Sequence, residues 1–306
     1  MNKISIVGAG RVGETTAQIL AQRCLCHEVV LLDVREGAAA GAALDIRESA
    51  AFYGFDARVT GGTDPALLQG SELVIVTAGS PRKPGMSRSD VLEVNIAVID
   101  TIVDQVLEHA PDCLLLLVTN PVDVITLHAW QRTGWDRRRV FGQAGVLDTA
   151  RMATFIAEAT GLSIKDIQAM VLGGHGDLMV PLTRFSTING LPATTFLKPG
   201  EIERINERTR NGGAEVLELR KTSSAYWAPA AAIATMVDAI CSNCQRVLPC
   251  VCVLQGEYGF TDITTGVPAI LGRAGIREVI ELPLNDEESA SFSASLASIQ
   301  ADLDHL

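Results

Sequence analysis

Residues 3–13 read KISIVGAGRVG, and the fold turns on how that stretch is parsed. KISIV reads as a mostly apolar run ending in glycine, a candidate strand. It runs into G-x-G-x-x-G at Gly8, Gly10 and Gly13, and a helical pattern extends from Val12 to Arg23. In a strand–turn–helix of this kind the first glycine permits the tight turn. The second lets a pyrophosphate approach the backbone, and the third lets helix meet sheet. The six-residue pattern alone is weak. Asp33 gives it context, because it ends the next strand, EVVLLD (28–33), where an acid can accept both hydroxyls of a ribose.

The same alternation continues outward. ELVIVTAG (72–79), CLLLLVTN (113–120) and RRVFG (138–142) read as further apolar strands, with helical stretches over 37–51, 90–108 and 121–133. Strands of that type alternating with helices predict an α/β protein, a doubly wound parallel Rossmann-type sheet over residues 1–145. Beyond that the texture changes to a helix at 148–160, a strand at 168–172, a glycine-flanked loop and short strands at 184–188. A long helix (200–219), an apolar helix (225–243) that Pro229 should kink, strands to Val253 and a closing amphipathic helix follow. This predicts a mixed α+β domain over residues 146–306, sharing a wide interface and a cleft with the first. No internal repeat or low-complexity segment is visible.

Composition excludes several classes. With 25 Lys+Arg against 36 Asp+Glu the net charge is −11, which repels nucleic acid and anionic membrane. CLLLLV (113–118) is far too short to span a bilayer. MNK leads directly into ISIVGAG without a signal-peptide core, so a cytoplasmic protein is expected. Seven cysteines, an odd count, suit reduced thiols. CSNCQRVLPCVC (241–252) superficially suggests a zinc site, but VLPCVCVL reads as a buried strand with Cys250 and Cys252 on one face, and no metal is expected.

One loop stands against the acidic background. TAGSPRKPGMSRSD (77–90) carries Arg82, Lys83 and Arg88 among Pro81, Pro84, Gly79 and Gly85. The prolines and glycines keep it irregular, and arginine's planar fork suits carboxylate or phosphate.

GAGRVG, VLLDV, TAGSPRKPGMSR, VTNPVDV, LDTAR and GGHGD, in this order and spacing, resemble the lactate/malate dehydrogenase family over nearly the whole chain. The likeness is closest to its bacterial lactate-dehydrogenase-like malate dehydrogenases. The resemblance makes the second domain catalytic and implies reversible oxidation of (S)-malate to oxaloacetate with NAD, by a homodimer or homotetramer. His175, alone among five histidines in being wrapped in glycines, is then the proton acceptor, a task imidazole suits near neutral pH. His27, His109, His128 and His305 are left to surface or packing roles. Asp148 orients His175, and Arg151, three residues along LDTARMATF and so on the same face, grips the C1 carboxylate.

By the same resemblance Arg88 polarises the C2 oxygen and Arg82 meets the second substituent. A cation at position 82 pairs with the C4 carboxylate of a dicarboxylate. With pyruvate bound it would be shut in unpartnered, at a cost on the order of 3–5 kcal/mol, or roughly two to three decades of discrimination. The loop is cationic because its substrate is a dianion, and it suits a lid that excludes water; Lys83 has no role assigned.

Asn120 ends CLLLLVTN at the sheet's carboxyl edge, where open sheets bind ligands; the resemblance implies contacts with nicotinamide ribose and substrate, and capping of the helix that Pro121 opens is the other reading. Val118 and Thr119 line the same wall, Asn95 adds a cofactor contact, and Ala9, Arg11 and Val12 complete the glycine turn. Asp33 favours NAD over NADP, with Arg35 tempering that preference. SSAYWAPA, with Ala225, leaves room for a larger substrate. The alternatives are a lactate or other 2-hydroxy-acid dehydrogenase, opposed by Arg82; an NAD-dependent glycoside hydrolase, which needs a metal; and a non-catalytic NAD-binding protein, which should lack one of His175, Asp148, Arg88 or Arg151.

Overall fold

The computed structural model describes residues 1–80 and 88–305, and of residues 88–90 the main chain alone. The first half winds through β1 (Lys3–Val7), α1 (Arg11–Gln22), β2 (Glu28–Leu32), α2 (Ala38–Glu48), α3 (Ala50–Tyr53) and β3 (Arg58–Gly62). It continues with β4 (Leu73–Val76), α4 (Arg88–His109), β5 (Leu114–Leu117), α5 (Val122–Thr133) and β6 (Val140–Gly142). The six strands are parallel in the order β3-β2-β1-β4-β5-β6. The winding therefore reverses between β1 and β4, and in open sheets ligands bind outside the carboxyl ends of strands at such a reversal. Burial on both faces explains the unbroken apolar runs. In β5, Leu114 and Leu116 pack into one core layer and Leu115 and Leu117 into the other.

The second half contains α6 (Gly145–Thr160), the short strands β7 (Ile167–Gln168), β8 (Val171–Leu172), β9 (Val180–Pro181), β10 (Thr187–Ile188) and β11 (Leu191–Pro192), then α7 (Pro199–Arg220) and α8 (Trp227–Cys241). It ends with β12 (Arg246–Gln255), β13 (Thr261–Gly272), β14 (Gly275–Val279) and α9 (Asp286–Leu303). The last three strands form an antiparallel meander, and β12 adds to the edge of β6 with Val251 opposite Gly142. One nine-stranded sheet thus runs through both halves. A Cβ on Gly142 would lie 3.0 Å from the Val251 Cβ and 2.7 Å from the Thr126 Oγ1, so glycine is what lets strand, helix and meander meet.

The doubly wound sheet and the α+β second half are as expected, and the meander extends the parallel sheet across the seam between them. Other expectations need correction. The strand expected at 138–142 starts at Val140, because Asp136 accepts from the Arg138 amide and turns Arg137–Arg139 into a single 3-10 turn. The strand expected at 168–172 is two strands in different sheets, β7 pairing with β10 and β8 with β9. Pro229 lies in the first turn of α8, where a missing N–H forfeits no intrahelical bond, so it does not kink that helix. Cys250 and Cys252 lie in β12 and face one core layer while Val251 faces the other; burial pushes the Cys250 thiol up to about 12.

Candidate active site

The glycine turn lies at the β1/β4 reversal. Gly8 has φ +107°, and a Cβ there would stand 2.6 Å from the Ala78 amide nitrogen. A Cβ on Gly13 would lie 1.9 Å from the Gly8 carbonyl oxygen, so α1 reaches its depth only with glycine at that point. Gly10 differs: a Cβ there meets nothing within 4 Å, and as the N-cap of α1 it provides no side-chain acceptor for the first-turn amides. An open approach to unclaimed amides at a helix N-terminus fits a pyrophosphate, so the residues present suit a dinucleotide.

Asp33 closes the turn from β2. One carboxylate oxygen accepts the Ala9 amide at 2.8 Å, and the other accepts the Arg35 amide and Nε at 2.9 and 3.0 Å. Arg35 also donates to the Ala9 carbonyl at 2.9 Å, clasping carboxylate and glycine turn together. Burial alone would raise the Asp33 pKa, but the Arg35 and Ala9 hydrogen bonds outweigh it and hold it below the usual value. Arg35 therefore stands as the direct partner of Asp33, which sequence reading treated only as a neighbouring charge.

Across the turn, the exits of β4 and β5 are tied together. Thr119 donates to the Ala78 carbonyl at 2.6 Å. Asn95 is buried, accepts the Ser80 amide at 2.7 Å and donates to the Asn120 carbonyl at 2.8 Å. Its amide is engaged by protein groups at both ends, which fixes its orientation between the exits of β4 and β5. The Asn120 residue itself is exposed and Val118 is half-buried. The helix-capping reading of Asn120 fails: α5 begins at Val122 with Pro121 as its N-cap, and no side chain caps it.

The second half brings together His175, Asp148 and Arg151. His175 Nδ1 lies 2.8 Å from one oxygen of Asp148, whose other oxygen accepts from Arg151 at 2.8 Å. Asp148 side-chain exposure is only 3%, so both bonds are sheltered from solvent. Burial depresses the His175 pKa, yet the charge and hydrogen bond of Asp148 exceed that effect and leave it above 6.5. The Asp148–Arg151 ion pair and the His175 contact coexist, one on each carboxylate oxygen. Arg151 lies against α7, where a Cβ on Gly212 would come within 3.1 Å of its Cδ; the small residues at Gly212 and Gly213 make space for the guanidinium.

In the glycine-flanked turn that carries His175, three consecutive main-chain amides are each held by a different element. Gly173 donates to the Gly266 carbonyl on β13 at 2.9 Å, Gly174 to the Ser295 hydroxyl on α9 at 2.9 Å, and His175 to Asp123 on α5 at 2.9 Å. The glycines serve close approach here: a Cβ on Gly173 would lie 2.8 Å from the Ser295 Oγ.

The loop that contains Ala225 runs into Tyr226, whose ring lies 5.5 Å from Arg11 and 4.4 Å from Arg220, which ties it to the glycine turn. Arg82 and Lys83 lie outside the described residues, as does the side chain of Arg88.

Comparison with known proteins settles the ancestry. Residues 2–142 match the lactate/malate dehydrogenase NAD binding domain, and residues 145–306 match the lactate/malate dehydrogenase alpha/beta C-terminal domain. The chain belongs to the lactate/malate dehydrogenase family. A malate dehydrogenase of Thioalkalivibrio sulfidiphilus is 64% identical over 306 residues, covering 100% of both chains. Among solved structures, the malate dehydrogenase of Salinibacter ruber superposes with a TM-score of 0.94 at 41% identity, covering 99% of this chain and 97% of that one. A lactate dehydrogenase of Cryptosporidium parvum, complexed with lactic acid and nicotinamide adenine dinucleotide, gives a TM-score of 0.95 at 36% identity, with 99% and 97% covered.

Two residues at this family site escaped sequence reading. Asp123 was quoted within VTNPVDV but given no role, although an acid inside the apolar run PVDVITL was a visible signal. Ser295 left no signal, since it is one of five serines in the last helix and only the tertiary contact sets it apart.

Proposed function

We infer that the chain catalyses the reversible, NAD-dependent oxidation of (S)-malate to oxaloacetate, a reading carried by the sheltered His175–Asp148–Arg151 chain of 2.8 Å contacts in a sequence 64% identical to a malate dehydrogenase. The residues proposed to hold NAD are Gly8 through Gly13 at the pyrophosphate, Asp33 at the adenosine ribose, and Val118, Thr119 and Asn120 along the nicotinamide wall, with Asn95 behind Asn120. When bound, NAD supplies the hydride acceptor. Arg151 holds the C1 carboxylate, and its bond to Asp148 fixes the guanidinium for that contact. His175 Nε2 takes the hydroxyl proton of malate, and Asp148 stabilises the imidazolium that results. Arg88 faces the C2 oxygen and Arg82 the C4 carboxylate. In the reverse direction protonated His175 returns the proton to the C2 oxygen.

The dicarboxylate preference is tested by following NADH absorbance with oxaloacetate and then pyruvate. Oxaloacetate should win by roughly two to three decades in kcat/KM, and turnover of pyruvate at an equal rate would end the assignment. Arg82→Gln should depress oxaloacetate turnover far more than pyruvate turnover; matched losses would show that position 82 does not select.

The domain division at 145/146 and a cytoplasmic location complete the proposal. Among the described residues no helix is long and apolar enough to cross a membrane. A homodimer or homotetramer is supported by the exposure of Phe52 (89%) and Tyr53 (58%) on α3 and of Trp227 (58%) on α8, since apolar groups so placed favour a protein partner. A monomer in sedimentation equilibrium would rule it out.

A further inference from the structure

Asp123 is a buried carboxylate to which the mechanism above gives no part. It sits in the first turn of α5 with 5% exposure. Its Oδ2 accepts the His175 amide at 2.9 Å, and among the described residues its Oδ1 makes no hydrogen bond to the protein. Its own carbonyl accepts the Thr264 hydroxyl at 2.6 Å, which fixes the start of α5 against β13. Of the three contacts that hold the 173–175 turn, those to Gly266 and Ser295 are neutral. The third carries a titratable charge beneath the imidazole.

We propose that Asp123 is a positioning residue for the base: one oxygen holds the His175 main chain, while the buried negative charge supports the imidazolium form of the ring. His175 is thereby served by two carboxylates with different tasks. Asp148 bonds to Nδ1 and sets the orientation of the ring, whereas Asp123 acts from below through the backbone and through space.

The surroundings of Asp123 leave it few other charges. The groups acting most strongly on it are His175 on its turn and Asp148 on α6, the latter itself paired with Arg151. β13 presents the neutral Thr264, and α9 presents Ser295 and Ile299 around Gly174. On β12 the thiols Cys250 and Cys252 are buried, and burial keeps both protonated. On α4, Asp100 and Asp104 are taken up further along α5 by His128 and Arg132. Desolvation pushes the Asp123 carboxyl up to about 6, against the opposing pull of the His175 amide and ring. It is ionised at neutral pH and neutral in mild acid, with Oδ1 as the oxygen open to the proton. The attraction is mutual, so an ionised Asp123 raises the pKa of His175.

The proposal rests on His175 as the base, and two substitutions separate the contact from the charge. Asp123→Asn keeps an oxygen for the His175 amide and removes the charge. Asp123→Leu removes both. In oxaloacetate reduction, which needs protonated His175, kcat/KM is lost as pH rises through the His175 pKa. In Asp123→Asn that limb should move to lower pH by about one unit. Its plateau should lie above that of Asp123→Leu, which should fall by about ten- to a hundredfold from wild type.

An unmoved limb in Asp123→Asn overturns the electrostatic role, and a wild-type plateau in Asp123→Leu overturns the positioning role. An NMR titration of the His175 ring in the unliganded wild type and Asp123→Asn proteins reads the same shift without turnover. If the wild type fails to reduce oxaloacetate, the functional reading falls. If the ring's midpoint is alike in the two proteins, the electrostatic role of Asp123 falls while the functional reading stands.

Discussion

At the scale of single residues, the chemistry depends on how Asp148 divides itself. One oxygen holds His175 and the other holds Arg151, so in the proposed mechanism orientation of the base and orientation of the carboxylate clamp depend on a single buried group. His175 has a pKa raised above 6.5 despite burial, through Asp148. Malate oxidation requires the neutral ring, so its kcat/KM should rise with pH through a midpoint above 6.5. Oxaloacetate reduction requires the charged ring and should fall through the same midpoint. Asp148→Asn removes the charge that sustains the raised value. Both midpoints should move down, and kcat should drop by about 10²–10⁴-fold. A pH–rate profile with an unmoved midpoint would show that Asp148 orients the ring without stabilising its charge.

At the scale of elements, the glycine turn separates structural demands from those of the ligand. Gly13 lies where α1 meets the backbone at Gly8, and a Cβ there would be 1.9 Å from a carbonyl oxygen that cannot swing away. Gly13→Ala should therefore cost about 1–3 kcal/mol in stability, seen in thermal or denaturant unfolding, and should weaken NADH binding as well. Gly10 has nothing within 4 Å of its Cβ position. Gly10→Ala should leave unfolding close to wild type yet still weaken NADH binding, read by quenching or enhancement of NADH fluorescence. If both variants unfold alike, the division of labour between the two glycines is wrong.

At the scale of the whole molecule, the seam between β6 and β12 joins the halves of the chain. Arg137, just before β6, donates to the Val253 carbonyl on β12 and pairs with Glu257 at 2.7 Å beyond it. Burial alone would raise the Glu257 pKa, but the Arg137 hydrogen bond and charge carry it down to about 2. A folded pKa below the ordinary 4.5 means the stabilisation is complete above 4.5 and disappears as pH falls toward 2. Glu257→Gln should cost about 1–2 kcal/mol at neutral pH. Its Tm deficit should narrow through that acid window, and a deficit independent of pH would show that the pair does not clamp the seam.

The sequence by itself determined the parallel half of the sheet, because strands buried on both faces must be apolar throughout and only glycine tolerates the crowding at Gly8 and Gly13. It also singled out His175, Asp148 and Arg151, which the fold brings into contact, and the family resemblance is what implies their roles. It left unreadable whatever depends on partners distant in the chain. β13 and β14 escaped recognition, and β12 joins the first half only through a contact between Gly142 and Val251. The turn at 173–175 read only as a glycine-flanked loop, because glycines look alike whether they serve freedom or close approach. Tertiary structure decided that they serve close approach, by bringing Gly266, Ser295 and Asp123 from three separate elements against three successive amides. A main-chain hydrogen bond leaves no trace in residue type, and that is the physical reason the support beneath His175 became visible only in the folded chain.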